Sequence, residues 1–359
     1  MVTDKNYFSR ELLHWNKLHN DRLMPWKGER DPYKIWLSEI ILQQTRVEQG
    51  WQYYERFVST FPNIKKLANS TEGKVFKLWE GLGYYTRCKN LIATAKYISK
   101  EKQGKFPDTY AEIISLKGIG PYTAAAIASF AFNLPHAVVD GNVFRVLSRF
   151  FGIDTPTDST AGKKLFTLLA QELLNKKLPG IYNQAIMDFG AVICKPQNPL
   201  CINCALKNRC AALLQNKVDL LPVKAGKIIK KLRWFYYFIV EHNGKIYIKK
   251  RGAKDIWENL YEFILLETNK SLLVENIKTT DFFKNITGKN KTAILQVSKI
   301  YKQQLTHQTI QGCFIHIKIK NPILLKGYKA VTYKELNKLP FPKFITGYLS
   351  ENELKAIER

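Results

Sequence analysis

Residues 116–124 have the sequence Leu116-Lys117-Gly118-Ile119-Gly120-Pro121-Tyr122-Thr123-Ala124, and this stretch decides the fold class of the first half of the chain. Two glycines one residue apart permit a tight turn, and the proline after them suits the first position of a helix. The amides of such a turn face an anion, so Gly118 and Gly120 are predicted to bind phosphate. Since a Gly-x-Gly sequence is usually only a turn between two elements, it indicates a binding motif only if helices flank it.

Helical periodicity surrounds this turn throughout the first half of the chain. The helices predicted between about residue 5 and residue 215 are Pro32–Val58, Lys74–Trp79, Asn90–Lys102, Thr109–Leu116, Tyr122–Phe132, Gly141–Phe151, Ala161–Asn175 and Tyr182–Val192. Turn signals rich in Gly and Pro separate them. Residues 1–216 are therefore predicted to form an all-α domain in which the glycine turn is a helix-hairpin-helix motif.

The pattern changes after a basic segment at residues 217–232, which is predicted to be a linker. The strands predicted beyond it are Arg233–His242, Lys245–Lys250 and Cys313–Lys320. The helices predicted there are Leu272–Ile277 and Tyr348–Ile357. Asn243-Gly244 between the first two strands is a two-residue hairpin signal. We therefore expect a multidomain protein, with residues 233–359 forming an α+β domain after the helical one.

The net charge of +26 predicts a polyanionic partner. Residues 1–216 hold 29 basic against 18 acidic residues and residues 217–359 hold 27 against 12, so both halves are basic. An excess spread over the whole chain favours nucleic acid, with an anionic membrane as the alternative. No apolar leader and no stretch long enough to span a bilayer is present, so we expect a cytoplasmic protein, nucleoid-associated if bacterial, without membrane partners.

Four of the six cysteines lie close together with the spacing C-x6-C-x2-C-x5-C. Cysteines clustered in a cytosolic chain indicate metal ligands before disulfides. Four thiolates suit zinc or an iron–sulfur cluster, but zinc sites usually pair two C-x2-C units and this chain has one. We therefore predict a [4Fe–4S] cluster on Cys194, Cys201, Cys204 and Cys210, and the basic residues among these ligands favour a structural and DNA-docking role.

Two carboxylates stand out by their surroundings. Glu39 lies in the apolar stretch Ile35–Leu42, where burial would raise its pKa and let it act as a general acid. Asp140 follows an apolar run and precedes Gly141-Asn142, where an Asp is commonly the N-cap of a helix. Glycoside cleavage usually needs one carboxylic acid and one carboxylate, so the pair is a candidate catalytic site. The alternative is a satisfied core Glu and a plain helix cap.

These motifs occur together in one known arrangement. The chain carries, in order, Trp36-Leu37-Ser38-Glu39-Ile40-Ile41-Leu42-Gln43-Gln44-Thr45-Arg46-Val47, Gly118–Ala124, Val139-Asp140-Gly141-Asn142-Val143 and the four-cysteine loop. Residues 20–210 resemble the helix-hairpin-helix glycosylase superfamily, specifically the adenine glycosylases of the MutY type. The resemblance implies a monomeric enzyme that removes adenine mispaired with 8-oxoguanine or guanine in double-stranded DNA.

The resemblance assigns catalytic roles to four residues. It implies that Glu39 protonates adenine at N7 and that an ionised Asp140 stabilises the oxocarbenium-like sugar. Asn142 and Tyr122 would hydrogen-bond and position this pair. Endonuclease III, a related glycosylase and lyase, has a Schiff-base lysine where this chain has Tyr122, so the resemblance implies a monofunctional enzyme.

The resemblance also implies contacts with the bases. Gln44 and Tyr84 resemble the wedges that fill the stack when adenine flips out, a step required because the glycosidic bond is unreachable inside a duplex. Gln184 resembles the residue that recognises the adenine edge. Lys27 stands where the family commonly has arginine, and a lysine cannot make the bidentate contact. In an unrelated protein Tyr84 would more often be a core residue and Gln184 a surface amide.

The second half resembles the degenerate Nudix-like domain that recognises 8-oxoguanine. Residues 254–263, Lys254-Asp255-Ile256-Trp257-Glu258-Asn259-Leu260-Tyr261-Glu262-Phe263, occupy the place of that domain's Trp-Glu-Phe signature. A glutamate-rich Nudix box is missing from the sequence, so pyrophosphate hydrolysis is not implied. The family's Phe-Ser-His loop corresponds to Leu305-Thr306-His307, which implies lesion contacts from Thr306 and His307.

Three other functions stay open on the sequence. The first is another enzyme of the same superfamily, either a thymine-glycol or mismatch glycosylase or a glycosylase and lyase of the endonuclease III kind, and Tyr122 and the extra domain argue against it. A non-catalytic DNA-binding module leaves Glu39 and Asp140 without a purpose. An iron–sulfur redox protein explains neither the charge nor the hairpin.

Overall fold

The computed structural model describes residues 2–226, 230–253, 255–288 and 292–352, without the side chains of residues 2 and 3. The chain divides into two compact units, the first made of Met1–Asn69 and Asn90–Gly226 and the second of Ser70–Lys89 and Lys227–Arg359. The boundaries of the functional domains at 216 and 233 stay a prediction. Lys254, the linker residues 227–229 and the end of the helix predicted at Tyr348–Ile357 lie outside the described residues.

Helices make up the first half of the chain, as the periodicity predicts. They are α1 (Val2–His19), α2 (Pro32–Leu42), α3 (Val47–Thr60), α4 (Ile64–Ala68), α5 (Glu72–Trp79), α6 (Tyr85–Glu101), α7 (Tyr110–Ser115), α8 (Pro121–Phe132), α9 (Gly141–Phe151), α10 (Thr160–Leu173), α11 (Pro179–Val192) and α12 (Ala211–Leu214). The prediction of one helix over Pro32–Val58 is wrong. The chain leaves the helix at Gln43 and re-enters it at Val47, with Gln44 in the left-handed region at φ +56°.

The helix-hairpin-helix motif lies between α7 and α8. Gly118 has φ +80°, and a Cβ there would lie 2.6 Å from the Cβ of Asn90, so no larger residue fits. Gly120 is the extended N-cap of α8 and Pro121 its first residue. A Cβ on Gly120 would meet no atom within 4 Å, so space lies open beside this helix N-terminus.

Helix α8 is the centre of the first unit's packing. Its residues from Thr123 to Ser129 are buried and mostly alanine, which lets neighbouring helices approach closely. Helices α2, α7 and α11 pack on α8, and α11 also packs on α1 and α9. A Cβ on Gly180 of α11 would lie 2.9 Å from the carbonyl oxygen of Ser129. These close contacts bring α2, α8, α9 and α11 around one point.

The second unit contains a mixed sheet flanked by helices. In the described residues its elements are β1 (Lys231–His242), β2 (Lys245–Lys250), β3 (Tyr261–Glu262), β4 (Ile264–Thr268), α13 (Val274–Lys278), α14 (Asp281–Thr287), β5 (Thr292–Val297), β6 (Tyr301–Gln304), β7 (Gln308–Ile319), β8 (Tyr328–Thr332), α15 (Tyr333–Leu336) and α16 (Lys343–Glu351). Strand β1 pairs with β7 in parallel and with β2 across the predicted hairpin, where Asn243 and Gly244 both have positive φ.

Segment 70–89 belongs to this second unit by its contacts. The Lys77 ammonium donates to the carbonyl oxygen of Leu339 at 3.0 Å, and the backbone N–H of Phe341 donates to Glu80 at 2.7 Å. Lys89 pairs with Glu258 at 2.5 Å. The sequence could not predict this, because the segment is helical like its neighbours in the chain. Over the described residues, no helix is both long and apolar enough to cross a membrane.

Candidate active site

One cavity of about 440 Å³ lies between the helices that meet at α8. Six of the residues predicted to act in catalysis or base binding line it, although they are up to 157 positions apart in the chain: Lys27, Glu39, Tyr122, Asp140, Asn142 and Gln184. Apolar side chains such as Ile35 and Leu42 form much of the remaining wall. The fold therefore assembles a site that the sequence could only propose.

Glu39 is a buried carboxyl on α2. Burial is the main cause that raises its pKa to about 7, the hydrogen bond from Tyr122 partly opposes this rise, and the charge of Asp140 adds to it. Tyr122 itself has a pKa well above its usual value because it is buried and faces both carboxylates, so it is a neutral phenol. Glu39 can therefore hold a proton near neutral pH and deliver it inside the cavity.

Asp140 is the N-cap of α9, as its position in the sequence suggests. Its Oδ1 accepts the Val143 N–H at 2.8 Å and its Oδ2 accepts the Asn142 side-chain amide at 2.8 Å. Burial raises the pKa of Asp140, while these hydrogen bonds and the guanidinium of Arg145 oppose the rise. Three kinds of contact thus favour its anion, whereas Glu39 has one donor. Burial raises the pKa of both carboxyls, but the anion of Asp140 is stabilised by more hydrogen-bond donors than that of Glu39.

Arg145 orients Asn142 toward Asp140, and the sequence analysis did not identify Arg145 as part of the site. Its Nη2 donates to Asn142 Oδ1 at 2.8 Å and to the Gly190 carbonyl at 2.7 Å, and its Nε donates to the Cys194 carbonyl at 2.7 Å. Because the guanidinium occupies the amide oxygen of Asn142, the amide nitrogen faces Asp140. A Cβ on Gly190 would lie 2.6 Å from the Cβ of Asn142. The available signal was an arginine one turn after Asn142 in a largely apolar helix.

Gln184 and Lys27 both contact a third carboxylate, Asp188, which the sequence analysis did not identify. Asp188 lies one helical turn after Gln184 on α11 and its side chain is fully buried. It accepts the Gln184 amide nitrogen at 2.9 Å and pairs with Lys27 at 3.2 Å. Lys27 therefore lines the cavity with its charge already partnered.

The two predicted wedges, Gln44 and Tyr84, have the same backbone strain. Both are exposed and both adopt left-handed backbone angles, φ +56° and +48°, that side-chain-bearing residues other than Asn and Asp rarely adopt. In the second unit, the Arg87 guanidinium lies 5.3 Å from the ring centroids of Trp79 and of Tyr84. Gln44 itself does not line the cavity, although its neighbour Thr45 does.

Thr306 lies in the turn between β6 and β7 and contacts the wedge of its own unit. Its Oγ1 is 2.9 Å from the Tyr84 hydroxyl. His307 is exposed, and its carbonyl oxygen accepts the Lys231 N–H at 3.0 Å. The predicted lesion loop and Tyr84 are thus brought together, which their separation of 222 positions could not indicate.

The four-cysteine loop follows α11. Its cysteines line one small cavity together with Arg149, whose Nη1 lies 3.6 Å from Cys194 Sγ and donates to the Lys195 carbonyl at 2.7 Å. Among the described residues, no group of three or more His, Cys, Asp or Glu side chains is placed to hold a metal ion.

Comparison with known proteins places the chain in a family. Residues 37–171 match the model of the HhH-GPD superfamily of base excision DNA repair proteins, and residues 235–351 match that of the NUDIX domain. An adenine DNA glycosylase of Buchnera aphidicola subsp. Baizongia pistaciae (strain Bp) is 36% identical over 307 residues, covering 84% of each chain. The chain belongs to the adenine DNA glycosylase family. It is an adenine-specific DNA glycosylase, and the predicted fold class, a helical glycosylase domain followed by a Nudix-like domain, is confirmed.

Other similar proteins agree with this family. The adenine DNA glycosylase of Homo sapiens is 39% identical over 221 residues, which cover 59% of this chain and 40% of that protein. A thermostable thymine-DNA glycosylase has a TM-score of 0.56 and 27% identity, covering 60% of this chain and 98% of its own. An endonuclease III structure determined with DNA has a TM-score of 0.51 at 20% identity, covering 59% and 97%, and shows the fold alone.

Proposed function

We propose that the glycosylase hydrolyses the N-glycosidic bond of adenine paired with 8-oxoguanine or guanine in duplex DNA, without cleaving the strand. The observation that carries this proposal is the meeting of two carboxyls in one cavity: Glu39, whose pKa is raised to about 7, and Asp140, whose oxygens accept two hydrogen bonds at 2.8 Å. Glycoside cleavage needs one proton donor and one anion. The cavity provides both, together with room for a flipped base.

The proposed reaction uses the two carboxyls in turn. Glu39 transfers its proton to N7 of adenine, so the bond from N9 to C1′ breaks with its electron pair going to a neutral leaving base. Positive charge then develops on the sugar at C1′ and O4′, where the Asp140 carboxylate stabilises it. Water adds at C1′ and gives up a proton, which leaves an abasic site. The Tyr122 hydroxyl and the Asn142 amide hold the two carboxyls in place.

One gel assay tests the proposal. A duplex with a single adenine opposite 8-oxoguanine should be left intact by the protein and break at that adenine only after hot alkali. Strand breaks without alkali, with covalent trapping by borohydride, would instead indicate a lyase. Because Tyr122 cannot form an imine, we expect little trapping. No alkali-labile site at all would contradict the proposed function.

We also propose that the protein binds duplex DNA through its basic surfaces, through the hairpin at Gly118 and Gly120, and through Gln44 and Tyr84 as wedges. The open space beside Gly120 at the N-terminus of α8 suits a phosphate. The left-handed backbone at both wedge residues supports a function that outweighs their strain.

Lesion recognition is assigned to the loop that carries Thr306 and His307. Thr306→Val removes the hydroxyl next to Tyr84 and keeps the shape of the side chain. We expect a several-fold smaller preference for 8-oxoguanine over guanine as the opposite base, of the size of one lost hydrogen bond. Single-turnover excision from the two duplexes measures this ratio. Thr279→Val, at an exposed threonine of the same unit, is the control, and an unchanged ratio in Thr306→Val would contradict the assignment.

We propose that Cys194, Cys201, Cys204 and Cys210 hold a [4Fe–4S] cluster. All four thiols line one cavity, as the ligands of a shared centre must, and their spacing with a single C-x2-C unit favours an iron–sulfur cluster over zinc. Such a cluster would fix the loop and present its basic residues to DNA.

The cluster proposal predicts a brown protein with about four irons per chain. Cys201→Ser should lose iron and colour and bind duplex DNA more weakly, because the loop loses the group that orders it. Iron analysis, the visible spectrum and a binding titration measure these effects. Cys313→Ser, in β7 and far from the loop in sequence, should keep the iron. A colourless, fully active preparation with one zinc would overturn the proposal.

A further inference from the structure

Asp188 is a buried carboxylate with four donors. Its Oδ1 accepts from Arg22 at 2.8 Å and from the Gln184 amide nitrogen at 2.9 Å. Its Oδ2 accepts from Asn20 at 2.9 Å and faces the Lys27 ammonium at 3.2 Å. Two cations and two amides thus direct donors at a side chain with no exposed surface.

A carboxylate paired with two cations can only accept hydrogen bonds, and this fixes the amide of Gln184. The amide nitrogen must face Asp188, so the amide oxygen faces the other way. Gln184 lines the cavity and Asp188 does not. The atom that Gln184 presents to the cavity is therefore its carbonyl oxygen, an acceptor, although a glutamine that is free to rotate presents either group.

We infer that Asp188 is a positioning residue that locks Gln184 as an acceptor and so makes the pocket select purines with a 6-amino group. This inference rests on the proposed function, in which Gln184 faces the edge of the flipped base. Adenine carries an N–H donor at position 6, which matches the locked oxygen. Hypoxanthine carries an oxygen there, so two acceptors would face each other, and unsubstituted purine carries neither group.

The wild-type protein gives the first test, with no risk of misfolding. Duplexes carry adenine, unsubstituted purine or hypoxanthine opposite the same base, and each single-turnover rate is divided by the rate of acid depurination of that nucleoside. We expect adenine to exceed purine by about tenfold, one hydrogen bond's worth, and hypoxanthine to be slowest. Hypoxanthine as fast as purine would overturn the locked acceptor. If adenine itself were not released, the proposed function would fail instead.

Substitution of Asp188 gives the second test. Asp188→Asn can donate as well as accept, so Gln184 can turn its nitrogen to the cavity. The corrected ratio of adenine to hypoxanthine should fall by about tenfold, while Asp188→Glu, which keeps an acceptor, should restore most of it. Asp154→Asn, at an exposed aspartate, is the matched control. Losses that affect every base alike cancel in the ratio, and Asp188→Glu, which keeps a charge partner for Arg22 and Lys27, shows whether those cavity-lining cations alter it. An unchanged ratio in folded Asp188→Asn would refute the inference.

Discussion

Glu39→Gln should lower base release by about three to four orders of magnitude, the size of a general acid's contribution at the upper end of its usual range. The amide keeps the shape of the side chain and an acceptor for the Tyr122 hydroxyl, but it has no proton to transfer. Duplex binding should stay within about tenfold of the wild type, because the lost interaction forms only in the transition state. Single-turnover excision and a binding titration measure the two effects.

The same variant should be more stable than the wild type above neutral pH. Folding raises the pKa of Glu39 from 4.5 to about 7, so ionised Glu39 costs the wild type on the order of 3 kcal/mol at pH 8. Below pH 4.5 the carboxyl is protonated in both folded and unfolded states, and the difference should vanish. Glu172→Gln, at an exposed glutamate paired with Lys5, should change neither excision nor this pH dependence. Excision by Glu39→Gln at a rate near that of the wild type would refute the acid assignment.

The pKa of Glu39 also sets the pH dependence of the wild type. Only the protonated Glu39 carboxyl can act as the acid, so excision should fall about tenfold per pH unit well above 7. Because the reaction also needs ionised Asp140, excision should fall again at acid pH, where that carboxylate takes up a proton. A single-turnover pH profile measures this. A profile that stays flat to pH 9 would mean that another group supplies the proton.

The sequence predicts the helices well, because their apolar periodicity is strong. It does not predict the break between α2 and α3, because Gln43, Gln44 and Thr45 contain no glycine or proline and the helical period continues through them. The break leaves Gln44 exposed with a left-handed backbone at φ +56°. Local rules thus fail at a proposed functional position, where conflict between local and global structure is expected.

The sequence predicted the reactive residues of the candidate site, but it did not predict the residues that position them. Glu39 and Asp140 are marked by their apolar surroundings, whereas Arg145 and Asp188 are themselves held by partners 45 or more positions away in the chain. A charged residue in an apolar helix was the only local sign of either. The assignment of residues 70–89 to the second unit is likewise a matter of contacts between distant segments, which no periodicity encodes.

Asp140→Asn should lower excision by about a thousandfold, because a neutral amide cannot stabilise a sugar cation. It should also cost some stability. Asn142 is turned by Arg145 so that its amide nitrogen faces Asp140, and the Val143 N–H faces the other oxygen. The new amide must direct its own nitrogen at one of these two donors, which costs about one buried hydrogen bond, 1 to 3 kcal/mol.

A comparison of the loss in excision with the loss in stability shows whether Asp140 acts in catalysis or only caps α9. Asp31 is the N-cap of α2 and accepts the Tyr33 N–H at 2.9 Å, but it does not line the cavity. Asn is as good a cap as Asp, so Asp31→Asn should change both stability and excision little. Thermal unfolding and single-turnover excision of both variants decide the matter. If Asp140→Asn lost stability but excised adenine nearly as fast as Asp31→Asn, Asp140 would be a helix cap and the sugar cation would be stabilised by another group.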